Sequence, residues 1–170
     1  MASMKNRDSG SLQDNIGFLL GHSSQLKDRL LDQHLMALDI TATQAKVLFH
    51  LYRCNINRPC DVGKALNVDN SAVTRMLDRL EKKSLIQRVP DPEDRRAIKI
   101  ELTDKGLDVI GDATPLALCA IEELTQALTV EEIQQLRHCL QKILAPTMTE
   151  YASFMLATNK PLDSNAEDKK

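Results

Sequence analysis

The chain has 170 residues, 42% of them hydrophobic, and a net charge of −2. That suits one domain with extensions and excludes a uniformly basic nucleic-acid coat. Aromatics are 3% and Trp is absent, so Leu, Ile, Ala and Met must fill the core, which favours helix-on-helix packing over a sandwich or barrel. No apolar run approaches the roughly 18 residues that span a bilayer, and no signal-peptide core opens the chain, so a cytoplasmic protein without membrane contact is expected.

Residues 1–10 are polar and read as a disordered N-terminus. Ile16, Leu19, Leu20, Leu26, Leu30, Leu35 and Leu38 then trace a long amphipathic helix over 12–38. Thr41-Ala42-Thr43-Gln44 is a capping box that opens a second helix ending near Cys54. Residues 55–58 form a loop or one short strand, and Pro59 fits the first turn of a third helix reaching Leu66. Two short helices joined by a turn of about four residues match a helix-turn-helix, although the small residue usual at that turn is missing.

Asn70 is the expected N-cap of the next helix, over about 70–83, with Ala72, Val73, Met76, Leu77 and Leu80 on its apolar face. Ser71, Thr74, Arg75, Asp78 and Arg79 fall on the opposite face, where Asp78 can pair with Arg75 or Lys82. Strands are predicted at 85–89 and 97–102, flanking a turn at 90–96 that holds two prolines and the pair Arg95-Arg96. A polar-faced helix followed by a basic hairpin grips DNA by helix in the major groove and wing in the adjacent minor groove. Residues 58–105 carry 11 Lys and Arg against 9 Asp and Glu, a balance permissive for DNA.

Thr103 caps a helix whose apolar series runs on to Leu128, with a kink expected at Pro115. Thr129 to Glu132 is a second capping box, starting a last helix with a further kink expected at Pro146. Residues 158–170 read as a disordered tail. The terminal helices carry more aliphatic surface than the central module can cover. Interleaving with a second copy is the simplest solution, and an intrachain bundle is the alternative.

Asp94-x-Arg96 followed by Leu102-Thr103-x-x-Gly106 resembles the wing-to-helix signature of the MarR family of bacterial transcription regulators. The stretches VTRMLDRLEKKSLIQR and LDITATQAKVL are similar to that family's recognition helix and second helix. The fold class is therefore mainly α with a small β-hairpin wing. The winged helix-turn-helix spans 39–106, and a helical dimerisation region spans 11–38 and 107–157. The resemblance implies a homodimeric repressor on a pseudo-palindromic operator in double-stranded DNA, released by a small phenolic or aromatic acid.

By motif, Asn70, Ser71, Thr74 and Arg75 face the major groove, and Arg75 has the fork for a guanine edge or a phosphate. Arg96 is the wing arginine, Asp94 orients it, Arg95 is a second minor-groove or phosphate candidate, and Arg58 is a further DNA-contacting candidate. Arg79 and Lys83 suit solvent or phosphate positioning. Among His22, His34 and His50, near the family's ligand pocket, His22 is the ligand-binding candidate, against the plainer reading of a solvated histidine.

Cys54, Cys60, Cys119 and Cys139 form no C-x-x-C pair and read as buried or half-buried thiols, with oxidation sensing the alternative for Cys54 or Cys60. His138 and Cys139 with Cys119 fit no zinc spacing, so no metal is expected. The sequence contains no P-loop, dinucleotide fingerprint, hydrolase elbow or zincin motif, and neither a cofactor nor catalytic residues are expected. The competing reading is a helical protein-interaction module without DNA affinity.

Overall fold

A computed structural model of the chain describes residues 14–54, 56–91 and 97–156, with side chains through 146. Helix α1 spans Ile16–Leu35 and opens on Asn15, whose side chain accepts the Phe18 N–H at 2.9 Å. A single 3-10 turn, Met36–Leu38, ends at Asp39 in the left-handed region (φ 51°) and turns the chain into α2, Ala42–Cys54. The capping box forms as its residues dictate. Gln44 N–H donates to the Thr41 hydroxyl at 3.2 Å and Thr41 N–H to the Gln44 side chain at 3.1 Å. Asp32 on α1 also accepts the Ala42 N–H, so the start of α2 is held by α1.

Helix α3 is Pro59–Leu66 and α4 is Asn70–Lys82. The N-cap of α4 is Asp69, not Asn70: its backbone is extended and its carboxylate accepts the Ala72 N–H at 2.9 Å. A charged acceptor answers the exposed N–H groups and the helix dipole better than a neutral amide, and Asn70 becomes the first helical residue. The turn itself, Asn67 to Asp69, holds no small residue, as expected. Close approach is instead allowed by Gly63 within α3, where an added Cβ would lie 3.2 Å from both the Val68 carbonyl and a Val73 methyl. Asn67, at φ 53°, takes the left-handed position that ends α3.

Strands β1 (Ile86–Pro90) and β2 (Ile98–Leu102) pair antiparallel, with Ile86 opposite Leu102 and Pro90 opposite Ile98. Ile86 and Ile100 are buried, while Ile98 at the far end is exposed. The Ile100 N–H also donates to the Asn57 carbonyl at 2.6 Å, so the segment before α3 lies along β2 and the hairpin is docked on the helices.

Helix α5 (Asp104–Thr125) starts at Thr103, whose hydroxyl accepts the Gly106 N–H at 3.0 Å. The helix continues through Pro115 as one element, and Leu128 falls in the turn after it rather than in the helix. The second capping box starts α6 (Val130–Leu156), with Thr129 N–H bonded to Glu132 at 2.8 Å and Glu132 N–H returned to Thr129 at 3.2 Å.

Leu35, Leu48, Leu77, Leu80, Leu85 and Ile100 are fully buried at the centre of one core, which the helices from the end of α1 to the first half of α5 build with the hairpin. The N-terminal part of α1, the C-terminal part of α5 and α6 lie outside that core: Ile16, Leu19, Leu118, Ile121, Leu136 and Ile143 are all exposed. Among the described residues no helix is long and apolar enough to cross a membrane. Residues 1–13, 92–96 and 157–170, which hold both expected termini and most of the wing turn, lie outside the described residues.

Candidate nucleic-acid interface

Amphipathicity sets what α4 can present. Val73, Leu77 and Leu80 recur at helical spacing and are buried, which turns Asn70, Ser71, Thr74, Arg75 and Arg79 to the surface. The expected major-groove set thus shares one exposed face. Its hydroxyls are engaged locally, Ser71 donating to the Asp69 carboxylate and Thr74 to the Asn70 carbonyl at 2.9 Å. Their lone pairs still point outward as acceptors. The Ser71 hydroxyl, followed by the Ala72 amide, holds the Asp69 carboxyl below the usual carboxylate range.

Asp78 pairs with neither Arg75 nor Lys82. Its partner is Arg88 on β1, whose guanidinium reaches Asp78 at 2.6 Å and Glu81 with its other nitrogen. One arginine thus ties the middle of α4 to the hairpin and neutralises two acids on that helix. Lys83, just past α4, ion-pairs with Asp39 at 3.1 Å, which makes it a joint rather than a free surface cation.

Arg58 is exposed over 45% of its side chain and stands at the start of α3, yet its guanidinium donates to Asp91 at 2.8 Å. The Asp91 side chain is completely buried, and its other oxygen takes Lys99 of β2 at 3.0 Å. The hydrogen bond to Asp91, then its charge, holds the Arg58 pKa above the ordinary guanidinium value. Nothing in the sequence marks Asp91, Lys99 and Arg88 as partners in these ion pairs. Asp91 reads from sequence as one more turn residue between prolines, and the strand cations as solvated alternates. Asp94, Arg95 and Arg96 lie outside the described residues.

His22 is exposed on α1 with its ring edge-on to Phe18, centroids 4.0 Å apart. His34 pairs with Glu123 of α5 at 2.9 Å. His50 is half-buried. Burial pushes its pKa down, against a hydrogen bond to the Ala65 backbone. Three cysteines depart from the buried reading: Cys60, Cys119 and Cys139 are exposed, and only Cys54 is buried, where burial pushes its thiol pKa up. Among the described residues no three His, Cys, Asp or Glu side chains come together as a metal site would need.

A short helix, a tight turn, a second helix with a polar outer face and a docked antiparallel hairpin define a winged helix-turn-helix protein. Residues 40–98 match the MarR family model. The multiple antibiotic resistance protein MarR of Escherichia coli K12 is 39% identical over 130 residues, 76% of this chain and 90% of that protein. The crystal structure of apo wild-type E. coli MarR superposes with a TM-score of 0.70 at 40% identity, over 76% of this chain and 96% of that one. A cysteine-to-serine mutant of E. coli MarR complexed with operator DNA gives 0.68 at 40% identity, over 76% of this chain and 93% of that one. The chain belongs to the MarR family of transcription regulators.

Proposed function

We propose that the chain is a homodimeric transcription repressor that binds a pseudo-palindromic operator in double-stranded DNA. The observation that carries this reading is the exposed row Asn70, Ser71, Thr74 and Arg75 on a helix whose other face is buried in the core. Support comes from the operator complex of the similar E. coli protein. In this reading residues 39–106 are the DNA-binding domain, and 11–38 with 107–157 dimerise through the exposed aliphatic faces of α1, α5 and α6. Two α4 helices about one helical turn of DNA apart then read the two half-sites.

Arg75 contacts a guanine edge or a phosphate, Ser71, Thr74 and Asn70 contact phosphates or base edges, and Arg95 and Arg96, oriented by Asp94, reach the minor groove. Arg58 acts at the base of the wing. A small phenolic or aromatic acid is the releasing ligand, with His22 among its contacts, and the cytoplasm is the place of action.

The test is selection of duplexes from a random library by the full chain, followed by affinity measurements over a salt series. A common palindromic site is expected, with binding that weakens steeply as salt rises because several phosphates are neutralised. Arg75→Ala is expected to cost about 1–3 kcal/mol and relax base choice, and Arg96→Ala to weaken binding with less effect on choice. A folded protein that selects no duplex, or binds one independently of salt, refutes the reading. Salicylate added to the complex tests the releasing ligand, and an unchanged complex removes that part alone.

A further inference from the structure

A two-stranded hairpin is at best marginally stable by itself, so the direction of a wing depends on what anchors it. Near the helices the anchor is apolar, since Ile86 and Ile100 are buried in the core. At the far end that anchor is gone. Pro90 and Ile98, the last paired rung, are both exposed. The next residue outward is Asp91, and its side chain is completely buried. Its N–H donates to the Ala97 carbonyl at 3.0 Å, closing the neck from which residues 92–96 leave. Its carboxylate takes Arg58 at 2.8 Å and Lys99 at 3.0 Å. Three segments therefore meet on one buried anion: the start of α3, the end of β1 and the middle of β2.

A buried ion pair contributes little net stability over apolar packing, but its charges demand one geometry, because displacement leaves a charge without solvent or partner. We propose that Asp91 is a positioning residue for DNA binding, fixing the neck of the wing on the helix-turn-helix so that the hairpin keeps one direction relative to α4. This rests on the DNA-binding reading above and adds a residue that touches no DNA.

The sign of its removal separates this role from plain electrostatics. DNA is a polyanion, so deleting an acid from a DNA-binding module should by charge alone strengthen binding and steepen its salt dependence. Loss of positioning acts the opposite way, because the wing arginines then neutralise fewer phosphates. The experiment uses the full chain and a duplex selected from a random library by the wild-type protein. Affinity is read by fluorescence anisotropy at several KCl concentrations, and minor-groove protection by hydroxyl-radical footprinting. Asp91→Asn is expected to bind roughly tenfold more weakly, with a salt slope lower by about 1–2 and the flanking minor-groove protection lost, while the protection over the base-read half-sites stays.

The double variant Asp91→Leu/Lys99→Met removes one charge of each sign and is the replacement most compatible with folding. It decides the matter should Asp91→Asn not fold, because its affinity change reports geometry and not charge. Folded variants with unchanged or tighter binding and intact flanking protection overturn the positioning role while leaving the DNA-binding reading standing. Failure of the wild type to select any duplex overturns both.

Discussion

Gly106→Ala is the substitution with the best-defined consequence. Gly106 is the third residue of α5, and its φ is not in the left-handed region, so conformational freedom is not what it supplies. Space is. A Cβ there would sit 2.1 Å from the Leu85 carbonyl oxygen and 3.3 Å from a Leu102 methyl, so backbone must move by about 1 Å. That carbonyl accepts the Thr103 N–H at 3.2 Å, and the Thr103 hydroxyl donates to the Ser84 carbonyl at 2.7 Å while accepting the Gly106 N–H.

The clash therefore opens the junction joining the end of α4, the start of β1, the end of β2 and the start of α5. Overpacking costs about 1–3 kcal/mol, and a damaged N-cap about 0.5–2 kcal/mol. Better helix propensity and reduced freedom of the unfolded chain return about 1 kcal/mol. The net expectation is a loss of about 0.5–4 kcal/mol, a drop in midpoint of roughly 1–16 °C for a chain of this size. Circular dichroism melts at fixed protein concentration measure it, with Gly111→Ala as the paired control. Gly111 lies in the same helix with nothing within 4 Å of an added Cβ, so there the substitution should stabilise, by about 0.5–1 kcal/mol. Equal effects at the two positions would refute the steric argument.

Thr41→Ala breaks the capping box of α2 and should cost about 1 kcal/mol in urea melts, whereas Thr43→Ala, one turn position on and exposed, should cost less than half of that. Burial keeps the His50 pKa below its unfolded value of 6.5, so the unfolded chain binds the extra proton first. Stability is complete above about pH 6.5 and falls as pH drops towards the folded pKa; His50→Gln should flatten that part of the pH–stability profile, and an unchanged profile would clear His50 of the role. Arg88→Met strips the partner from Asp78 and Glu81, which are half-exposed, so the stability cost should be near 1 kcal/mol. Its DNA affinity should fall further, by roughly tenfold, because two uncompensated acids then sit on the helix proposed to face phosphates. Equal affinity of Arg88→Met and wild type for a selected duplex would show that the pairing only braces the fold.

What could be read from the sequence is what depends on local patterns. Both capping boxes, the proline that starts α3 and the apolar face of α4 need only a few adjacent residues, and they lie where their spacing puts them. What was hidden depends on contact between distant segments. Asp69 rather than Asn70 caps α4 because two good capping residues stand side by side, and spacing does not choose between them. The helix-turn-helix pattern places a small residue inside the turn, whereas here Gly63 serves from the preceding helix by letting Val68 and Val73 close in. Asp78 found Arg88 across ten residues, and Asp91 found Arg58 across 33, pairings that no helical or strand periodicity encodes. The exposed row on α4 is legible in the sequence, and the ion pairs that tie its helix to the hairpin are not.

That division has a physical basis in how the chain distributes its apolar surface. The central module closes its own core, with Leu35, Leu48, Leu77 and Ile100 fully buried. The helices outside it do not: Leu118 is 61% exposed, Ile143 59% and Ile16 56%, on three different helices. Single exposed aliphatics are ordinary, but rows of them along α1, α5 and α6 offer a surface that a partner can cover, and burying them is worth about 25 cal/mol per Å². The proposed dimer covers those rows, and it also fixes the distance between the two α4 faces. The polar contacts within each subunit then have a definite task. Lys46 to Asp28 ties α1 to α2, His34 to Glu123 ties α1 to α5, and Arg88 ties the hairpin to α4. Each is part-exposed and weak as a source of stability, yet each spans two elements of the path from the dimer helices to the recognition helix. In such an arrangement half-site spacing is set by apolar burial, and the angle at which each helix meets its groove is set by charge.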